Sequence, residues 1–184
     1  MRLRLIPATI ASLRAELEGR AQLARVLGIE VPESWPPELY DEPAIRFTLD
    51  RVEREPEEVG WWLYYVAEPQ QLGGSTKLVG VAGYKGPPSA AGIVEVGYGT
   101  LPEHRRKGFA SEATQAMIDR AFGLAEVRSV VAETFPHLSA SSGVMKRCGM
   151  SYVGEGSEAG VIRYGITREA SERKAPRQAG IEFR

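Results

Sequence analysis

The sequence predicts a mixed α/β fold: a central, mostly antiparallel mixed sheet with one parallel strand–helix–strand crossover and flanking helices. Three observations predict it. Three β-rich runs, Trp61 to Ala67, Lys77 to Tyr84 and Ile93 to Thr100, follow one another with glycine- and proline-bearing turns between them, as antiparallel strands in series require. The third run then passes through a basic glycine loop into a helical stripe and on to Val127 to Phe135, the order of a parallel crossover. Amphipathic helical patterns precede all of this.

Taken in order, Arg2 to Ile6 alternate as a short edge strand that Pro7 stops. Leu13, Leu17, Ala21, Ala24 and Leu27 recur at three- and four-residue steps with Arg14, Glu16, Glu18, Arg20 and Arg25 between them. That spacing is a helix or helix pair, and Gly28 is its stop. Val31 to Pro37 holds too many prolines for helix or central strand and reads as an ordered loop, with Trp35 as a packing anchor. Glu38 to Arg54 is again helical, with Leu39, Ile45, Leu49 and Val52 on one side and Pro43 interrupting its start. Gly73-Gly74-Ser75 and Gly86-Pro87-Pro88-Ser89 turn the chain between the three strands. Gly97 and Gly99 inside the third suggest a bulge or a close backbone approach.

Ala110, Ala113, Thr114, Met117, Ile118, Ala121 and Phe122 line one side of the crossover helix, which Gly123 caps. After Pro136, Ser139 to Cys148 is a short helix that the Ser139 hydroxyl could cap, and Gly149 ends it. Ser151 to Glu155 and Val161 to Thr167 form a closing hairpin. Residues 1–167 therefore make one domain. The segment 168–184, without apolar periodicity, reads as a mobile tail.

Composition narrows the function. At 184 residues, 43% hydrophobic and 26% charged, the chain is globular in character, and its 23 basic and 24 acidic residues give a formal net charge of −1. No global charge draws it to nucleic acid or an anionic membrane, so anion binding must be local. One cysteine, Cys148, excludes an intrachain disulfide, and with two histidines it is a poor inventory for a structural zinc site; no metal is expected. Leu5-Ile6 runs straight into Pro7 without a signal-peptide core, and no apolar run is long enough to span a bilayer. A cytoplasmic location is the expectation.

The local anion site is Arg105-Arg106-Lys107-Gly108-Phe109-Ala110. Small residues at Gly108 and Ala110 admit an anion to the backbone, and the unpaired N–H groups of a first helical turn point at it with the helix dipole behind them. Two arginines and a lysine add charge.

Arg105-x-x-Gly108-x-Ala110, preceded by Glu95-Val96-Gly97-Tyr98 and Leu101-Pro102-Glu103-His104, resembles the acetyl-CoA-binding signature of the GNAT acyltransferases, in particular the branch that acetylates protein N-termini and small amines. Gly108 to Ala113 and the stretch from Ser139 to Met150 extend the likeness, which covers roughly Lys77 to Ile166. The resemblance implies a GNAT-like fold and direct acetyl transfer from acetyl-CoA to an amine acceptor, a small molecule or a protein N-terminus. It also implies that the first helices lie over the acceptor pocket. Main-chain groups of Arg106, Lys107, Gly108, Phe109, Ala110 and Ser111 would hold the pyrophosphate, with Arg105 supporting by charge; Gly99, Thr100 and Leu101 would lie along the donor arm, and Ser139 would hydrogen-bond the cofactor.

Glu95 is the first choice for deprotonating the acceptor, through water, because a carboxylate of reference pKa about 4.3 is a weak direct base. Glu133 is second. His104, beside the phosphate loop, reads as solvated or anion-supporting, and His137 lies near the pantetheine exit. Many family members carry asparagine where Ser139 stands, and some carry a proton-donating tyrosine where Met145 stands. Unassisted departure of a thiolate, whose acid has a pKa of about 8.5, is the consequence. Cys148 reads as a packing thiol. Transfer of a longer acyl group, and a non-catalytic acyl-CoA sensor or interaction module, are the alternatives. The oligomeric state stays open, a homodimer included.

Overall fold

Eight strands form one sheet: β1 Leu3–Pro7, β2 Leu63–Glu68, β3 Lys77–Tyr84, β4 Ile93–Thr100, β5 Ser129–Thr134, β6 Ser151–Glu155, β7 Ile162–Thr167 and β8 Ile181–Phe183. Their order across the sheet is β6-β7-β5-β4-β3-β2-β1-β8 in a computed structural model, which describes residues 2–69, 74–173 and 181–183. The pairs β4·β5 and β1·β8 are parallel and the others antiparallel. The mixed α/β expectation holds. The turn read at Gly73-Gly74-Ser75 begins outside the described residues.

Alternation along the strands sends side chains to two cores. On β2, Tyr64 and Val66 face one core with Val79, Val94, Val96 and α4 (Phe109–Phe122), whereas Leu63, Tyr65 and Ala67 face the other. The second core is roofed by α1 (Ile10–Glu18), α2 (Arg20–Leu27) and α3 (Glu42–Arg54). Met117 and Ile118 on α4 are fully buried, each contributing about 2 kcal/mol by apolar burial.

Local sequence explains the helix ends. Thr9 and Ser12 form a reciprocal capping box at the start of α1, Gly19 at φ 133 divides α1 from α2, and Gly28 at φ 66 ends α2. The helix pair, not a single helix, is the outcome. Asp41 caps α3 by accepting from Ala44 N at 3.1 Å, and Pro43 sits in the first turn, where its missing donor costs nothing.

Some expectations change. Ser139 does not cap α5 (Ser139–Arg147): Leu138 occupies that position without a side-chain hydrogen bond, and Ser139 is already helical. Gly123 is the C-cap of α4, as expected, but in ordinary right-handed geometry. Beyond Thr167, where sequence lacked periodicity, Arg168–Glu172 forms a short helix, α6, capped by the Thr167 hydroxyl, and β8 adds itself to β1. A five-residue helix is too short to show a period, and a strand partner supplied by a distant residue leaves no periodic signature. The stretch 174–180, with Lys174, Pro176 and Gly180, lies outside the described residues.

The feature that positions the site is a parting of strands. β4 and β5 pair only through Ile93↔Ser129, Val94↔Val130 and Glu95↔Val131. Beyond Glu95, β4 continues against β3 alone, so a cleft opens between Val96–Thr100 and the end of β5.

Candidate active site

The loop from β4 to α4 is bent by two left-handed residues, Arg106 at φ 61 and Gly108 at φ 89. Glycine adopts this region freely, but Arg106 does so at a cost of about 1–2 kcal/mol. Such strain persists where the surroundings impose it. No side chain caps the start of α4, and the first-turn N–H groups of Phe109, Ala110 and Ser111 have no intrahelical acceptor. All three residues line the cleft.

A second feature fits an anionic ligand. His104, expected to be solvated or anion-supporting, is 4% exposed and borders the cleft, and among the described residues its Nδ1 is buried without a hydrogen-bond partner. Burial first, then the Lys107 and Lys77 charges, push its pKa below the ordinary histidine value. The ring is therefore neutral at physiological pH and free to donate or accept one hydrogen bond. The pyrophosphate of acetyl-CoA matches this chemistry of main-chain donors.

Glu95, Gly99, Thr100, Arg105, Arg106, Gly108, Phe109, Ala110, Ser111 and Ser139 all line this one cleft, a cavity of about 840 Å³. Two of the expected residues do not. Leu101 is fully buried and its N–H is taken by Val79 O at 3.0 Å, so it lies beneath the cradle. Lys107 contributes its carbonyl to Arg2 and keeps its side chain off the cleft wall. Arg105 is tied to Glu38 Oε2 at 2.9 Å and to Thr100 O at 3.3 Å, which fixes the loop more than it offers charge.

Arg2 was not legible. It stacks over Phe109 at 4.9 Å and pairs with Glu112 Oε1 at 3.1 Å, bracing the start of α4 from the other end of the chain. No local pattern in the sequence announces that contact.

The glycines of β4 are explained without a bulge. Register with β3 runs unbroken from Tyr84↔Val96 to Gly80↔Thr100. A Cβ on Gly99 would lie 3.3 Å from Pro37, so this glycine admits the proline loop. A Cβ on Gly97 would meet nothing within 4 Å, so that glycine leaves open space.

Glu95 stands where the strands part. Its side chain is 21% exposed, and Oε1 is shut off from solvent beside Lys85 Nζ, an ion contact without hydrogen-bond alignment. Lys85, at 61% exposed, is the mobile member of the pair. Antiparallel register could have found it, since Lys85 N donates to Glu95 O at 2.9 Å across the β3–β4 hairpin. Glu133, the second choice, is engaged. Although burial would raise its pKa, hydrogen bonds from Ser157 Oγ at 2.7 Å, Arg163 Nε at 2.8 Å and Ser157 N at 2.9 Å outweigh it and hold the carboxylate below its ordinary value.

Tyr98 was missed. Its hydroxyl donates to Ser141 O at 2.9 Å from the cleft wall, and burial pushes its pKa up to about 12 despite the Ser141 contact. Met145 and Cys148 are each 1% exposed, and the Cys148 thiol lies 3.4 Å from Ser111 O.

A mixed sheet that parts beside an uncapped helix N-terminus, with a carboxylate at the far end of the same cleft, is the architecture of an acyltransferase fed by a CoA thioester. The chain belongs to the acetyltransferase (GNAT) domain family, which it matches over residues 2–151, and it is an acetyl-CoA-dependent acetyltransferase. The Bacillus subtilis (strain 168) protein called uncharacterized N-acetyltransferase YjdG is 29% identical over 131 residues, 71% of this chain and 75% of that protein. A GNAT-family acetyltransferase from Bacillus anthracis superposes with a TM-score of 0.59 at 21% identity, covering 92% of this chain and 96% of that one. Spermidine N-acetyltransferase from Vibrio cholerae, solved with CoA and spermine, gives 0.64 at 14% identity, covering 93% and 98%. Among the described residues no helix is long and apolar enough to cross a membrane.

Proposed function

We propose that the chain transfers acetyl directly from acetyl-CoA to an amine, a small amine or a protein N-terminus, in a ternary complex in the cytoplasm. The observation that carries this reading is the single cleft that joins the uncapped start of α4 to the Glu95 carboxylate. The α4 N–H groups, with Gly108 and Arg106 shaping the turn, hold the pyrophosphate; the open edge of β4 at Gly99 and Thr100 receives the donor arm. Glu95 attracts the acceptor ammonium and, through water, takes its proton. The neutral nitrogen attacks the thioester carbon, the C–S bond breaks, and the electron pair leaves on sulfur.

Tyr98 replaces the missing tyrosine of α5 only in part. A phenol near pKa 12 keeps its proton against a thiolate whose acid has a pKa of about 8.5. Turned from Ser141 O toward the departing sulfur, it would stabilise the thiolate by a hydrogen bond and not protonate it outright. A panel of amines assayed for free CoA thiol tests the reading: acceptor-dependent release is expected. Tight acetyl-CoA binding with no release from any amine would leave a sensor in its place.

A further inference from the structure

Beside the donor cleft a second cavity, about 500 Å³, opens on the face of the sheet roofed by α3, and the two meet at Lys85 and Gly97. Its volume is that of a small-molecule site. Tyr40, Phe47 and Trp62 form its walls, and their polar atoms are already used. Trp62 Nε1 donates to Glu58 Oε2 at 3.0 Å, and the Tyr40 hydroxyl donates to Glu16 Oε2 at 2.9 Å. What a ligand meets is ring face and methyl. Among the described residues no carboxylate lines this cavity, and Lys85 is its charged group. Arg51 backs the wall, stacked at 5.1 Å over Phe47 and 5.6 Å over Trp62. Its floor at Gly97 carries no side chain.

A polyamine is a poor occupant: its second ammonium would enter a chamber walled by ring faces, with Lys85 as the charged group that lines it. The junction instead presents one anion, Glu95, in contact with one cation, Lys85. An α-amino acid carries the complementary pair on a single carbon, with its side chain as a third arm.

We infer that the acceptor is an α-amino acid with a bulky apolar side chain: its ammonium displaces Lys85 from Glu95, its carboxylate takes Lys85, and its side chain fills the chamber of Phe47 and Trp62. This rests on the acetyl-transfer reading above and specifies its acceptor. The ammonium loses one proton to water held by Glu95; the neutral nitrogen attacks the thioester carbon, the C–S bond breaks with its electron pair leaving on sulfur, and the second N–H proton passes through water to the thiolate, so the products are an N-acetyl amino acid and CoA.

The test compares L-phenylalanine, L-phenylalaninamide, glycine, a peptide beginning with phenylalanine and spermidine by CoA thiol release. Phenylalanine should exceed glycine and spermidine in kcat/KM by tenfold to a hundredfold, the worth of burying one large apolar side chain. The amide and the peptide, lacking the carboxylate, should fall about tenfold below it. Phe47→Asp, on a residue 51% exposed and tolerant of change, should erase the preference for phenylalanine over glycine while leaving acetyl-CoA affinity by calorimetry intact. Gly97→Val, which fills the floor, should lower the same ratio at least tenfold. Preference for spermidine, equal use of the amide or peptide, or an unchanged ratio in both variants would overturn the inference. If acetyl-CoA binds and other amines are acetylated while phenylalanine is neither used nor bound, this inference falls and acetyl transfer stands. If acetyl-CoA does not bind, both fall together.

Discussion

The two halves of the proposed active site are built on opposite principles. The donor half is main chain: Arg106 and Gly108 bend a loop, and the first turn of α4 offers its N–H groups. The acceptor half is side chain: Lys85 against Glu95, Phe47 against Trp62, and behind them Glu16 holding Trp35, Tyr40 and Tyr65. A main-chain site tolerates changes of residue type if its geometry is kept. A side-chain site is only as good as each partner. The cofactor half of such an enzyme can thus stay constant while the acceptor half is rewritten.

The largest effect should come from breaking the main-chain half. Gly108 at φ 89 has room for a Cβ, since the nearest atom, Glu112 Oε1, would be 3.4 Å away, but a β-branched residue is strained in that conformation. Gly108→Val should weaken acetyl-CoA binding by roughly tenfold to a hundredfold, the equivalent of about 1–3 kcal/mol of backbone strain. Calorimetry on the folded variant measures it. Unchanged affinity would remove the cradle as the donor site.

Next comes the side-chain half. Glu95→Gln keeps the volume but removes the charge, and turnover should drop about a hundredfold while acetyl-CoA affinity holds. The loss should shrink as pH rises toward the acceptor amine's own pKa, because solvent then does the deprotonation. An α-amine near 8 should suffer less than a lysine-like amine near about 10.4. Equal turnover of both enzymes across that range would transfer attention to a substrate-assisted route.

A smaller effect separates scaffold from chemistry. Burial raises the pKa of Glu16, and the hydrogen bonds from Tyr65, Trp35 and Tyr40 offset only part of that rise. With the folded pKa above the unfolded one, the folded state binds the extra proton between the two values, so this residue's contribution to stability falls as pH rises through that window. Glu16→Gln removes the titration. The Tm of the wild type relative to the variant should fall on going from acid to neutral pH, as differential scanning calorimetry of both would measure. A constant difference across pH would mean that the carboxylate is not the titrating group.

The smallest effect is expected from Cys148→Ser. The thiol is 1% exposed and packed near Ser111 O. Most transfer activity should survive, with a stability cost of about 1–3 kcal/mol for burying a hydroxyl. A trapped acyl-cysteine in the wild type would join the two halves through a covalent step and refute direct transfer.

The same division explains what the sequence could say. The strand runs, the crossover helix and the loop that leads into it depend on neighbours in the chain, so period and spacing were enough. Glu16 was read among the polar positions between the apolar stripe of α1, yet it is 8% exposed, because its three partners lie 19, 24 and 49 residues away. Trp35 did prove to be packed, against Tyr40 and Tyr65, but its tether to that carboxylate had no local sign. Leu101 was assigned to the donor arm by likeness. Its N–H belongs to β3, a partner that only register could reveal.

One pairing has a consequence for how the chain reaches this state. β1 is bordered on its outer side by β8, with Leu3 opposite Ile181 and Leu5 opposite Phe183. β1 is therefore completed by a strand far later in the chain. Until that strand pairs, β1 exposes a row of unsatisfied amides and carbonyls, the template on which a second chain can add. Contacts this distant in sequence form late, because the loop they close is so long. A nascent chain, or one cleaved before Ile181, is thus the form most prone to misassembly, and fusions at this end should be judged by aggregation during synthesis as well as by activity.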